Sequence, residues 1–216
     1  LMEYPHQCSE QTFNRLYANA LARHIASSDP EIRRVFDIWK NTPGDTLDSP
    51  LEKNQDLKAV MLEETPWLRQ SNAEGQARRN VGILFDANRL DSETARTLRQ
   101  LTEMQLPDGA WPWFPGGPAN DYITLYITTG LGRMRHLGVD VGSAPAVKSL
   151  TRLDGWIKRI YDQISNKEKN HLTSTIALYL YGRTFFLEDK PVAPEHKVAF
   201  DYFVGQAQKF WLKLAN

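Results

Sequence analysis

The sequence predicts an all-α protein of about nine helices, and three observations carry that reading. Apolar residues recur at spacings of three and four along most of the chain. No stretch alternates apolar and polar residues with the period of two that a half-buried strand requires. Toward the C-terminus, helices with one apolar stripe take turns with helices that are apolar all round. At 216 residues, 41% of them hydrophobic, the length and composition suit a single domain, 1–216, with a sizeable core.

The first helix is expected from Ser9 to about Ser27, with Phe13, Leu16, Tyr17, Ala20, Leu21 and Ile25 on its buried face. Asp29 as N-cap and Pro30 at the first helical position open a second, which carries Ile32, Val35, Phe36 and Trp39 and stops before Pro43-Gly44. Residues 41–53 are rich in Pro, Gly, Asp, Ser and Thr and read as a loop. A short helix through Leu57, Val60, Met61 and Leu62 ends at Thr65-Pro66, because a residue before proline avoids the helical region. Another is expected over about 72–88, with Val81, Leu84 and Phe85 inward. Asp91 is expected to cap the next, which bears Ala95, Leu98, Leu101 and Met104.

Between Gln105 and Asp121, Pro107, Pro112, Pro115 and Pro118 exclude a helix interior, and Gly109, Gly116 and Gly117 favour turns. The stretch Gln105-x-x-Asp108-Gly109-x-Trp111 resembles the Gln-Trp motif of α/α-toroid proteins, in which a glycine turn lets an aromatic ring pack at the start of the next helix. From Tyr122 to Leu137 the chain is apolar on nearly every side, and Gly130 and Gly132 permit close helix contact. Gly138 fits the C-cap region. Ser143 is expected to cap a one-sided helix marked by Leu150, Leu153, Ile157, Ile160 and Ile164. A helix over about 172–187 is again apolar all round, and a last one, from Glu195 to Leu214, is striped through Ala199, Phe203, Phe210 and Leu214. Two concentric rings of antiparallel helices require such an alternation. An ordinary helical bundle can give a similar pattern, and it is the alternation together with the resemblance that implies an α/α toroid, terpenoid-cyclase-like and incomplete, whose uncovered apolar edge favours a dimer.

Charge excludes one class of partner. Lys and Arg number 26 against 26 Asp and Glu, and short basic pairs such as Arg78-Arg79 read as solvated faces, so no nucleic-acid partner is expected. No apolar run approaches the length of a membrane span, and no signal-peptide pattern opens the chain. With its single cysteine, Cys8, no internal disulfide can form, and no His/Cys/Asp ligand cluster suggests a metal or other cofactor. The opening Leu1-Met2-Glu3-Tyr4 followed at once by its most reactive motif reads as part of a longer protein whose targeting signals lie elsewhere.

That motif is Tyr4-Pro5-His6-Gln7-Cys8-Ser9-Glu10-Gln11. A helix beginning near Ser9 puts Cys8 in the cap region and Gln11 one turn in, so thiol and carboxamide project the same way. Unpaired N–H groups and the positive end of the helix dipole favour a thiolate there. Attack on the Gln11 carboxamide with loss of ammonia would give an internal thioester. The plainer alternative is a small half-buried cysteine beside a surface glutamine. His6 flanks the cysteine, where a histidine is more often simply solvated.

The run Tyr4-Pro5-x-x-Cys8-x-Glu10-Gln11 resembles the thioester site of the alpha-2-macroglobulin and complement family, whose pattern is Cys-Gly-Glu-Gln; Ser9 stands where that pattern has glycine. The segments Ser49–Gln55, Glu63-Glu64-Thr65-Pro66-Trp67 and Leu106–Phe114 look like bacterial members. The resemblance implies a thioester domain of a protease inhibitor in the periplasm or cell envelope, serving host defence. Other domains of the same parent chain would shield the bond until a protease cuts a bait segment, whereupon an amine of the protease is captured once. Cys8 and Gln11 would form the thioester, Ser9 and Glu10 would support it, and Tyr4, Trp111, Trp113, Phe114 and Tyr122 are candidates to exclude water from it. A histidine that directs complement-type members to hydroxyl targets is absent from Pro118–Thr124, which implies amine attack. Two rivals stand beside this reading: a cysteine hydrolase pairing Cys8 with His136, His171 or His196, and a protein- or glycan-binding module with Trp111, Trp113 and Phe114 as its platform.

Overall fold

The computed structural model describes residues 8–41, 87–139 and 141–212. The described chain is mostly helical, with seven helices and one two-stranded ribbon. These are α1 Ser9–Ser28, α2 Pro30–Asn41, α3 Ala87–Glu103, β1 Trp111–Pro112, β2 Ala119–Asn120, α4 Asp121–His136, α5 Ala144–Gln163, α6 Ser174–Thr184 and α7 Pro194–Phe210. The helix expected through 57–62 lies outside the described residues. So do Tyr4, His6, the motif segments at 49–55 and 63–67, and all of the helix expected at 72–88 except its last two residues. The chain divides into two compact units, Asn19–Glu93 and the pair Leu1–Ala18 with Thr94–Asn216.

In the unit of residues 19–93, Asp29 caps α2 as its sequence requires. Its Oδ1 accepts the Glu31 N–H at 2.8 Å and its carbonyl accepts the Arg33 N–H at 3.0 Å. The expected cap at Asp91 is not made. Helix α3 runs unbroken through it from Ala87, and its carboxylate is taken by an ion pair with Arg23 instead of by the backbone. The buried stripe of α3 is Leu90, Thr94, Thr97 and Leu101, while Ala95 is exposed. Two threonines on the buried face rotate that stripe away from the one hydrophobicity alone selects.

The larger unit is built around α4. Ten of its residues are buried, on nearly all sides, among them Ile123, Leu125, Ile127, Leu131 and Met134. It packs against α5 and α6, and α7 packs against α5 and α6 in turn. Close approach is bought at two glycines: a Cβ on Gly130 would strike the ring of Phe13, and one on Gly132 would meet Phe185 at 2.5 Å. Asn120 caps the start of α4 by accepting the Ile123 N–H at 3.0 Å. At its end Gly138, at φ +78°, donates to the Arg135 carbonyl while Val139 donates to that of Met134, a Schellman closure. Ser143 does stand at the N-cap of α5, but its side chain makes no capping bond; its backbone is helical, and Pro145 in the first turn preorganises the start instead.

Helix α5 is one-sided as expected, with Leu150, Leu153 and Ile157 buried. Helix α6 departs from expectation. Ile176, Tyr179, Gly182 and Arg183 are buried, whereas Tyr181 is 48% exposed, so α6 is covered on one side only. Leu125, Leu153, Ile157, Leu172, Ile176, Tyr179 and Phe203 form a core cluster drawn from α4 to α7 and the segment before α6. Within it lies a charge pair that hydropathy does not reveal: Asp154 and Arg183 are both almost wholly buried, 3.0 Å apart.

Candidate functional site

The site is the first turn of α1 seated on β1. Cys8 is the N-cap and Gln11 the third helical residue. The Gln11 N–H donates to Cys8 Sγ at 3.4 Å, and the Cys8 N–H donates to Gln11 Oε1 at 3.3 Å. This is a capping box with sulfur in the place of a hydroxyl oxygen: cap side chain to the third residue's backbone, third side chain back to the cap's backbone. The two groups that sequence spacing placed on one side of a helix start are thus brought together. Cys8 is 6% exposed and forms no disulfide, while the Gln11 side chain reaches the surface.

Ser9 does not disturb this turn. No non-glycine residue described has a positive φ, so the position does not demand glycine, and the serine side chain is wholly buried. Its Oγ donates to the Pro112 carbonyl at 2.6 Å and its N–H to the Trp113 carbonyl at 2.9 Å. Thr12 closes the same turn from within the helix, its Oγ1 and N–H both reaching the Cys8 carbonyl at 3.0 Å. Thr12 and Pro112 were not foreseen as parts of the site; the Cys-x-x-Gln spacing read as a capping box would have signalled the first-turn bonds, but nothing local signals a partner 103 residues away.

The surface against α1 is fixed by the irregular segment. Contrary to the strand-free expectation, β1 and β2 pair antiparallel, Trp111 opposite Asn120 and Pro112 opposite Ala119. The Gln105 carboxamide donates to the carbonyls of Gly109, at 2.9 Å, and Pro145, at 2.8 Å. Gly109 turns at φ +85°, where a Cβ would collide with the Lys148 backbone. Trp111 is fully buried, its Nε1 donating to the Leu101 carbonyl at 2.8 Å and its N–H to Thr124 Oγ1 at 2.9 Å. Arg152 of α5 staples this region by donating to Asp108 at 2.6 Å and Asp121 at 2.8 Å, with Arg159 also on Asp121 at 3.2 Å. Burial pushes the Asp108 carboxyl up, but the Ala110 N–H, the Arg152 hydrogen bond and its charge outweigh that and leave the group below the usual carboxylate range.

The expected shielding rings divide. Trp111 serves the core and anchors β1. Trp113 and Phe114 stand 38% and 57% exposed at the outer end of the segment, and Trp113 reaches Ser9 through its carbonyl. Tyr122 is half exposed and stacks on Tyr126, which packs edge-on against Phe13 and donates to Asn14 Oδ1 at 2.7 Å. Desolvation and then the nearby Glu10 charge raise the Tyr126 hydroxyl above its ordinary pKa, against the opposing pull of the Asn14 bond. Glu10 itself, half-buried in the first turn, is favourably placed toward the positive end of the helix dipole.

Of the histidines in the hydrolase reading, His136 packs its ring on Phe185 and His171 bonds the Asn166 carbonyl, while the buried Nδ1 of His196 has no hydrogen-bond partner among the described residues. Among the described residues no group of three or more His, Cys, Asp or Glu is gathered as a metal would need, and no helix is long and apolar enough to cross a membrane. A scan against protein-family models, a search of curated proteins and a search of solved structures each found no match to this chain.

Proposed function

We propose that the chain is the thioester-bearing domain of a bacterial alpha-2-macroglobulin-like protease trap, acting once by acyl transfer and not as a turnover enzyme. Cys8 Sγ adds to the Gln11 carboxamide carbon; the S–C bond forms, the C–N bond breaks, and the nitrogen leaves as ammonia with the thiol proton. After bait cleavage, a lysine amine of the protease adds to the same carbon. An amide forms, the C–S bond breaks, and the amine's proton returns the cysteine to its thiol. The reading rests on the reciprocal hydrogen bonds of Cys8 and Gln11. The Cys8 N–H that holds Oε1 is also the donor that would take up charge on that oxygen as sulfur adds. Burial of Cys8 and Ser9 supports exclusion of water from the sulfur, with Gln11 at the surface, where an incoming amine would reach it, and the fold that goes with this function is the α/α toroid, with α4 in the inner ring.

Intact mass tests it. Freshly folded protein is expected to be about 17 Da lighter than its sequence and to show no titratable thiol; methylamine then restores the thiol and brings the mass to about 14 Da above the sequence value. Protein at full sequence mass with one reactive thiol refutes the condensation. A second reading, a protein- or glycan-binding module, is favoured by the exposure of Trp113 and Phe114 alone, since Trp111 is withdrawn into the core.

A further inference from the structure

Ser9 ties the turn of Cys8 to a segment far away in the sequence. Thr12 and Gln11 close the turn from inside α1, whereas Ser9 makes both of its bonds to β1 and the residue after it: Oγ to the Pro112 carbonyl at 2.6 Å and N–H to the Trp113 carbonyl at 2.9 Å. The segment it grips is a hairpin anchored at its base, where Trp111 and Pro112 pair with Asn120 and Ala119 and Asn120 caps α4. Trp111 is fixed in the core by bonds to Leu101 and Thr124, while Trp113, Phe114, Pro115 and Gly116 lie on the surface and turn back through a Gly117 N–H to Phe114 carbonyl bond of 3.0 Å. A force on that tip therefore meets the Trp113 and Pro112 carbonyls before it meets the core.

We propose that Ser9 is a latch, and that displacement of the 113–116 tip, by breaking its two bonds to Ser9, is what opens the turn and uncovers the Cys8 sulfur, the leaving group of the acyl transfer. The latch regulates the site described under the proposed function and rests on that reading for its purpose; its mechanics concern the sulfur whether or not the thioester has formed. A buried hydroxyl that loses its only cross-fold acceptor also loses the free energy that keeps the local opening rare. Ser9 is a positioning residue and takes no part in bond making.

The test uses the full chain after methylamine treatment, so that Cys8 is a free thiol in every sample, and follows labelling by N-ethylmaleimide under native conditions. Ser9→Ala is expected to label about tenfold faster than the unaltered protein. Ser9→Thr, which keeps the hydroxyl, should restore most of the protection. Thr12→Val, which removes a buried hydroxyl of the same turn but none of the bonds to 112–113, should stay within about threefold. Ser9→Ala labelling within twofold of the unaltered protein, or Thr12→Val matching Ser9→Ala, overturns the latch. Should Ser9→Ala not fold, hydrogen exchange in the unaltered protein decides: labelling of Cys8 must not outpace the opening reported by the Ser9 amide, and labelling that does so overturns it. A freshly folded sample without the mass deficit would count against the trap and leave this comparison standing.

Discussion

The turn at Cys8 and the cluster at Asp154 both bury polar groups in the larger unit, and they differ in how completely those groups are satisfied. Asp154 accepts from the Tyr179 hydroxyl at 2.7 Å and from Arg183 at 3.0 and 3.2 Å. Arg183 gives two further N–H groups to the carbonyls of Phe186 and Lys190, just past the end of α6. Burial first, and then the Asp154 charge, push the Tyr179 hydroxyl far above its ordinary range, so the phenol stays a donor throughout the accessible pH range. At Cys8 the bond to Gln11 Oε1 is long, 3.3 Å, the other, 3.4 Å, goes to the weak acceptor sulfur, and the Gln11 side chain is in contact with water. One cluster fixes the fold and has no chemistry left to offer. The other is held partly by its neighbours, through Ser9.

The sharpest break of that contrast is on the structural side. Asp154→Ala leaves the Arg183 guanidinium buried without its counter-charge and is expected to cost about 3–5 kcal/mol in denaturant unfolding. A loss under about 1 kcal/mol would mean the pair is not the fixed point it is taken to be here. Gly130→Ala comes next. Its methyl would strike the Phe13 ring, which is buried and already packed against Tyr17 and Tyr126, so the ring has no free direction of retreat. Overpacking of this kind costs about 1–3 kcal/mol. Because Phe13 is on the turn after Gln11, the same change should lower the fraction of protein showing the mass deficit. Full stability with an unaltered deficit would uncouple the seat of α1 from the site.

What was legible in the sequence follows the range of the forces involved. Caps at Asp29 and Gly138, the all-round burial of α4 and the meeting of Cys8 with Gln11 are settled within one or two turns, by spacing and by residue type. The continuous α3 was missed because Asp91 finds a distant arginine, and the one-sided α6 because apolar residues were counted without knowing which neighbours cover them. The β1–β2 ribbon is too short to show a period, and the Asp154–Arg183 pair looks in sequence like two surface charges. The grip of Ser9 on Pro112 has no local signature at all.

The smallest expected change in stability is the most informative about function. Glutamate is at home at the third position of a capping box, where its carboxylate can accept the cap's N–H as Gln11 Oε1 does, and a negative charge there meets the positive end of the α1 dipole. Gln11→Glu should therefore leave unfolding free energy within about 0.5 kcal/mol of the unaltered protein. Chemically the exchange is severe: a carboxylate at neutral pH is a poor electrophile, and no ammonia is available to leave. The about 17 Da deficit should vanish and one thiol should titrate at once. If Gln11 were only a cap, the variant and the unaltered protein would have the same thiol count and each its own sequence mass. A stable variant that alone gains a free thiol separates the bond from the fold, because the geometry is retained and only the leaving group has gone.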